Sequence, residues 1–264
     1  MRLSTVTAIA FAGALTIAHV SAQQPPAQPP AQPPAQPPAQ PPAGGGGQRM
    51  GGMGDPARKV PGGGILASGW KGKVDAGEAR NGSVVTDSKF EGSGGNFTIA
   101  SGPASIFYNP ADAQTGDYTV SATFTEAAYM SSNSHPHPYG VFIAGNDLET
   151  DTPTLLYCTP YGNGNFIVRA FPTSFAPPGP SGRRPTANDA VHKAAGKGEP
   201  VTQEVSMSVK GSQVTCSING TTVATFTKDD VVGEGKLKSI QGTPGIRVAH
   251  NVDVKVANYK VTKQ

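Results

Sequence analysis

The chain has 264 residues, with 21 Lys+Arg against 18 Asp+Glu and a formal charge of +3. Setting aside Arg2, Arg49, Arg58, Lys59 and Asp55 leaves 17 basic and 17 acidic residues in 65–264, so that region is formally neutral. Neutrality argues against nucleic acid as a partner and against steering to an anionic surface. HExxH, CxxC, GxSxG, P-loop and dinucleotide patterns are missing as well.

The first 22 residues predict a secretory signal. Arg2 supplies the positive start, Val6 to Val20 is mostly apolar, and Val20-Ser21-Ala22 fits a cut after Ala22. The apolar run is short for a membrane span, so none is expected once the signal is removed; a retained anchor is the alternative. Five copies of Gln-Pro-Pro-Ala follow, and then a Gly-rich stretch to Gly64. Proline fixes φ and removes an amide donor, so residues 23–64 read as a disordered, semi-rigid Pro/Gly linker. The expected setting is secreted, periplasmic or cell-surface, with association to the cell envelope.

Residues 65–264 are enough for one domain with a real core. Strands are predicted at 88–92, 96–101, 104–108, 117–126, 139–145, 154–159, 165–171, 201–211, 213–220, 221–227, 245–250 and 252–261. In QVTCSIN, Val214, Cys216 and Ile218 share one face and Thr215 and Ser217 the other. In VDVKVANYKV, Val252, Val254 and Val256 oppose Asp253 and Lys255. About a dozen such strands predict an all-β sandwich of two antiparallel sheets. The helix-like KDDVV (228–232) has Asp229 or Asp230 as its expected cap. The Pro/Gly/basic insert at 171–200 is read as a long loop, functional or disordered. Cys158 and Cys216 lie in predicted strands. They form either a disulfide between neighbouring strands or two buried thiols.

Several groups are candidates for chemistry. His135 and His137 in HPHPYG could point the same way, but a metal site would need a third ligand from His192, His250 or the NDLETD run. The expectation is no native metal, with both histidines on a binding rim and Pro136 and Pro138 stiffening the chain. Asn146, Asp147 and Glu149, with Asp151, form an acidic tip. Calcium is conceivable there, and a polar connection is the favoured reading. No cofactor is otherwise expected. Tyr139, Tyr157, Tyr161 and Arg169 cluster in the central strands. In NFIVRAF, Arg169 shares a face with Ile167 and Phe171, so it either lies on a concave polar face or pairs with an acid such as Glu149. Exposed rings beside guanidinium and carboxylate groups are what a neutral sugar requires. Trp70 is expected to pack over the sandwich edge. For a hydrolase, two facing carboxylates are needed, and Glu126 and Glu204 are candidates to share a cleft.

VSMSVKGSQVTCSINGTTVATF, the closing GIRVAHNVDVKVANYKV pair, Gly69-Trp70 and the HPHPYGVFIAG run carry a resemblance over most of residues 69 to 264. The chain resembles the concanavalin A-like or laminin-G jelly-roll group, in particular the secreted bacterial 3-keto-disaccharide hydrolase domain family. That resemblance implies a jelly-roll fold and an extracellular, sugar-related setting. TLLYCTP has no carboxylate where that family often carries a Tyr-Glu-x-Gln pattern, so no active site is carried over. The leading expectation is a carbohydrate-binding β-sandwich on a Pro-rich stalk. The alternatives are a glycoside hydrolase acting on (3-keto-)disaccharides and an adhesive domain without a small ligand.

Overall fold

A computed structural model describes residues 55–264. The expected signal and residues 23–54 of the expected linker lie outside the described residues. Strands β1 (Gly64–Ile65), β3 (Lys89–Ser93), β4 (Asn96–Ala100), β6 (Tyr118–Glu126), β11 (Val201–Lys210), β12 (Gln213–Ile218), β13 (Thr221–Thr227) and β15 (Asp253–Lys263) build an eight-stranded sheet. Its order is β1-β3-β4-β15-β6-β11-β12-β13. Strands β2 (Lys71–Val74), β5 (Ser105–Tyr108), β7 (Tyr139–Asn146), β8 (Thr154–Pro160), β9 (Asn165–Phe171), β10 (Thr186–Ala187) and β14 (Thr243–Val248) build a seven-stranded sheet, in the order β10-β9-β8-β7-β14-β5-β2. Pairing between the named strands is antiparallel except for β1 with β3. The chain is a jelly-roll β-sandwich of two sheets.

The two sheets differ in how they are covered. In the eight-stranded sheet alternate residues face in. Tyr118, Val120, Ala122 and Phe124 of β6 lie against the core, and Thr119, Ser121, Thr123 and Thr125 face out. Hydroxyl pairs cross this outer face, such as Ser208 Oγ to Thr215 Oγ1 at 2.6 Å. The seven-stranded sheet is buried on both sides around β7 and β8. Val141, Ile143, Leu156 and Val168 face the main core, while Ile106, Tyr108, Phe142, Leu155 and Phe171 form a second apolar cluster with Leu148. Gly245 makes that cluster compact. A Cβ there would meet the Phe142 ring at 2.5 Å, so the ring lies directly over the β14 backbone.

Cys158 on β8 and Cys216 on β12 form a disulfide. It ties the two sheets together across the core, not neighbouring strands as expected, because both side chains face inward. The helix-like piece is a short helix, Lys228–Val231, and its cap is Thr227 rather than Asp229 or Asp230. Asp230 instead accepts from the Thr227 backbone N–H, completing a reciprocal cap. Helix α1 (Ala76–Arg80), β1, β2 and β10 were not expected. The insert is folded onto the body through a turn at Pro180–Gly182 and the pairing of β10 with β9.

The linker reading fails for residues 55–64, which are held by the sandwich. Arg58 donates through Nε to Ser101 O at 3.0 Å and through Nη1 to Ser132 Oγ at 2.9 Å, and it pairs with Asp253. Asn251 Nδ2 donates to Pro56 O at 2.9 Å. Four specific polar contacts offset the ordering cost of a short segment.

Candidate functional site

Antiparallel register places Tyr157 of β8 directly opposite Arg169 of β9 and opposite Phe142 of β7. On β14, Ile246 and Val248 face the core, so Arg247 projects from the other side of the sheet. Its guanidinium grips Asp75, just before α1, with Nη1 to Oδ1 at 2.5 Å and Nη2 to Oδ2 at 2.6 Å. The guanidinium carbon lies 5.2 Å from the Tyr157 ring centroid and 5.6 Å from that of Phe171. The result is a planar ion pair braced by two rings, with Arg169 and Tyr161 beside it. Arg247 is only 8% exposed. Burial pulls its proton affinity down, but the Asp75 carboxylate more than reverses this, so it stays charged. Burial raises the pKa of both phenols, with Tyr161 pushed up to about 12, so both hydroxyls keep their protons. Arg169 Nη2 donates to Arg183 O at 2.9 Å, while its Nε is buried with no protein partner.

Of the expected site residues, Tyr157, Tyr161 and Arg169 therefore come together. Arg169 does not pair with Glu149. Arg247 and Asp75 were missed. The signal for Arg247 was present, since the apolar alternation of GIRVAH puts it on the face opposite Ile246 and Val248. Asp75 had no such pattern.

The other expected residues lie elsewhere. Tyr139 is fully buried in the main core, on the same side of β7 as Val141 and Ile143, with its ring 5.7 Å from Phe124. It is not a ligand platform, because strand alternation points it inward. Asn146 serves the fold, donating to Ala144 O at 3.0 Å and Gln241 O at 2.8 Å. Asp147 pairs with Lys238 at 2.7 Å and Glu149 with Lys71 at 2.5 Å. With Asp147 and Glu149 turned to lysines, the acidic tip does not assemble as a calcium shell. Glu126 faces the core and Glu204 faces solvent on the opposite side of the same sheet, so they share no cleft.

His135 and His137 sit at the end of the sandwich next to His250. The His137 and His250 ring centroids are 4.2 Å apart and perpendicular. His250 Nδ1 lies 3.1 Å from Glu78 Oε1, and Glu78 Oε2 accepts from Ala104 N–H at 3.1 Å. Burial raises the Glu78 pKa, but the His250 and Ala104 contacts leave it below the ordinary value. Glu78 lies on α1, three residues after Asp75, so this helix links the histidine end to the Arg247 pair.

A separate concavity of about 350 Å³ opens at the sandwich edge beside Trp70, Phe97, Tyr259, Asn109 and Asp112. Trp70 packs on Phe90, Phe97 and Tyr259 at centroid distances of 4.9, 4.8 and 5.1 Å, as expected of an edge residue.

No protein-family model and no curated protein matches the chain. Among solved structures it is similar to carbohydrate binding module CBM66 from Bacillus subtilis, with a TM-score of 0.45 and 9% identity over 76% of this chain and 100% of that one. It is also similar to a Bacillus subtilis protein of unknown function with a galectin-like fold, with a TM-score of 0.45 and 11% identity over 73% and 88% of the two chains. Trypanosoma rangeli sialidase matches at a TM-score of 0.39 and 14% identity, over 66% of this chain and 26% of the enzyme. At these levels the likeness transfers no residue roles.

Proposed function

We propose that this is an exported carbohydrate-binding β-sandwich, displayed on a Pro-rich stalk, that takes a neutral glycan or glycoside on the outer face of its seven-stranded sheet. One observation carries the reading: Tyr157, Arg169 and the Asp75–Arg247 pair are fixed side by side on that face. A sugar ring offers apolar C–H faces to an aromatic ring and hydroxyls to planar charged groups. Arg169 is half-buried on that face, with its guanidinium steadied by Nη2 donating to Arg183 O. The signal-like residues 1–22 and the five Gln-Pro-Pro-Ala repeats support export and display. Among the described residues no helix is long and apolar enough to cross a membrane.

A glycan array followed by calorimetry tests this. Tyr157→Ala and Arg169→Ala are each expected to weaken binding at least about tenfold, or ~1.4 kcal/mol. Wild-type binding by both variants across the array would reject the site. Incubation with disaccharides and 3-keto-disaccharides, with product analysis, tests the finer hydrolase reading.

A further inference from the structure

His135 Nε2 and His137 Nε2 lie 2.9 Å apart. His137 Nδ1 is 2.6 Å from the backbone carbonyl of His250, which can only accept. Nδ1 therefore carries the proton, and Nε2 presents a lone pair. His135 Nδ1 faces Ser134 Oγ at 3.3 Å and Asp55 Oδ2 at 3.6 Å. A proton on that nitrogen leaves the His135 Nε2 lone pair facing the one on His137. Two lone pairs at this spacing repel, and either a proton on His135 Nε2 or a cation between the rings relieves them. Imidazole nitrogens sharing one ion, at bond lengths of 2.0–2.1 Å, sit about 2.9–3.4 Å apart at octahedral to tetrahedral angles. The two rings already span such a chord. The third group is Asp55, one ligand atom of which lies within 4.8 Å of one from each histidine.

We propose that Asp55, His135 and His137 bind a divalent first-row transition ion, through one carboxylate oxygen and the two Nε2 atoms, with further positions open to water or a ligand. Two imidazoles and one carboxylate suit zinc, nickel or copper better than calcium or magnesium. The supporting contacts are in place. The carbonyl of His250 orients His137, and Ser134 donates to Asp55 Oδ2 from its backbone N–H at 2.5 Å and its hydroxyl at 3.0 Å. Both Ser134 contacts fall on Oδ2, and the proposed ligand atom is Oδ1. Pro136 and Pro138 fix the backbone on either side of His137. The ligand that sequence reasoning sought in His192, His250 or the acidic tip comes instead from the segment read as linker. This site does not depend on the sugar reading.

The test uses the untagged full chain, freed of metal by chelation and titrated with Zn2+ by calorimetry and with Co2+ by its d–d absorption. One equivalent of each is expected to bind, with Co2+ giving a ligand-field spectrum. His135→Ala is expected to weaken Zn2+ binding at least about 100-fold, and Asp55→Asn about 10- to 100-fold. His192→Ala, whose Nδ1 lies 2.8 Å from Thr202 O away from the site, should match wild type. His135 is exposed, so His135→Ala is expected to keep the metal-free melting temperature, which separates lost binding from lost folding. No uptake of either ion by wild type, or full-affinity uptake by both His135→Ala and Asp55→Asn, overturns the proposal. In that case the histidine pair shares a proton instead.

Discussion

Glu126 is the acidic residue whose surroundings most oppose its charge. Its side chain faces the core, and burial pushes its pKa from an ordinary 4.5 up to about 7. Oε1 accepts from Met130 N–H at 3.0 Å, while Oε2 and the neighbouring Tyr139 hydroxyl are both buried without partners. A protonated carboxyl can donate to that hydroxyl and relieve both. The unfolded chain releases this proton near pH 4.5 and the folded chain near 7, so the native state binds more protons across that window. Stability should therefore fall as pH rises from about 4.5 to 7, by up to roughly 3 kcal/mol. Glu126→Gln is expected to remove that slope and to unfold at higher denaturant concentration than wild type at pH 8. An unchanged slope would assign the pH dependence elsewhere. Arg247 poses the reverse case, since Arg247→Ala would strand the Asp75 carboxylate. A loss of about 3–5 kcal/mol in urea unfolding is expected for breaking so enclosed a pair. At this scale the sequence was informative where alternation assigns a face. It paired Arg169 with Ile167 and Phe171 correctly, and it could have placed Arg247. It failed for Tyr139, because an aromatic next to a candidate loop looks the same in sequence whichever way its strand faces. It failed for Asp75 and Asp55, which precede no periodic run and meet their partners only through the fold.

Among elements, the long strands were legible because one-sided burial writes itself as alternation. VSMSVK and QVTCSI are the clearest cases, and their register aligns Met207 with Cys216. Strands β1, β2 and β10 were not legible, since each spans only two to four residues, too few to show alternation. The folded state of 171–200 was equally hidden, because its Pro and Gly content suits a loop whether or not it packs. The disulfide partners were readable but their geometry was not: the 58-residue separation says nothing about which sheet each strand joins. That separation does set the scale of the constraint, about 4 kcal/mol in the chain-entropy account. Replacing both cysteines with alanine is expected to cost about 2–4 kcal/mol in chemical denaturation, and a loss under 0.5 kcal/mol would show that the cross-sheet tie is dispensable. At the sandwich edge, Trp70→Ala is expected to cost about 2–4 kcal/mol, because three rings lose their common neighbour. Trp70→Phe should recover much of that loss.

For the whole molecule, charge balance separates binding mechanisms. Residues 65–264 are formally neutral and have no charge surplus to release counterions, so binding of a neutral glycan should change less than about threefold between 50 mM and 500 mM NaCl. A steep salt dependence in calorimetry would point to an anionic ligand. The fold class was readable because a dozen alternating segments leave few other layer arrangements. The assignment of faces to ligands was not, because it depends on which sheet the insert, α1 and residues 55–64 cover. The double coverage of the seven-stranded sheet carries one further consequence. Strands β7 and β8 lie between two apolar layers and β14 pairs with β7, so the amides of this centre should be the last to exchange with deuterated solvent. The Arg247 pair and Tyr157 are anchored in that slow-exchanging region. A ligand arriving there meets a surface with little left to rearrange, so differences in affinity among ligands should reside in how fast they leave rather than how fast they bind.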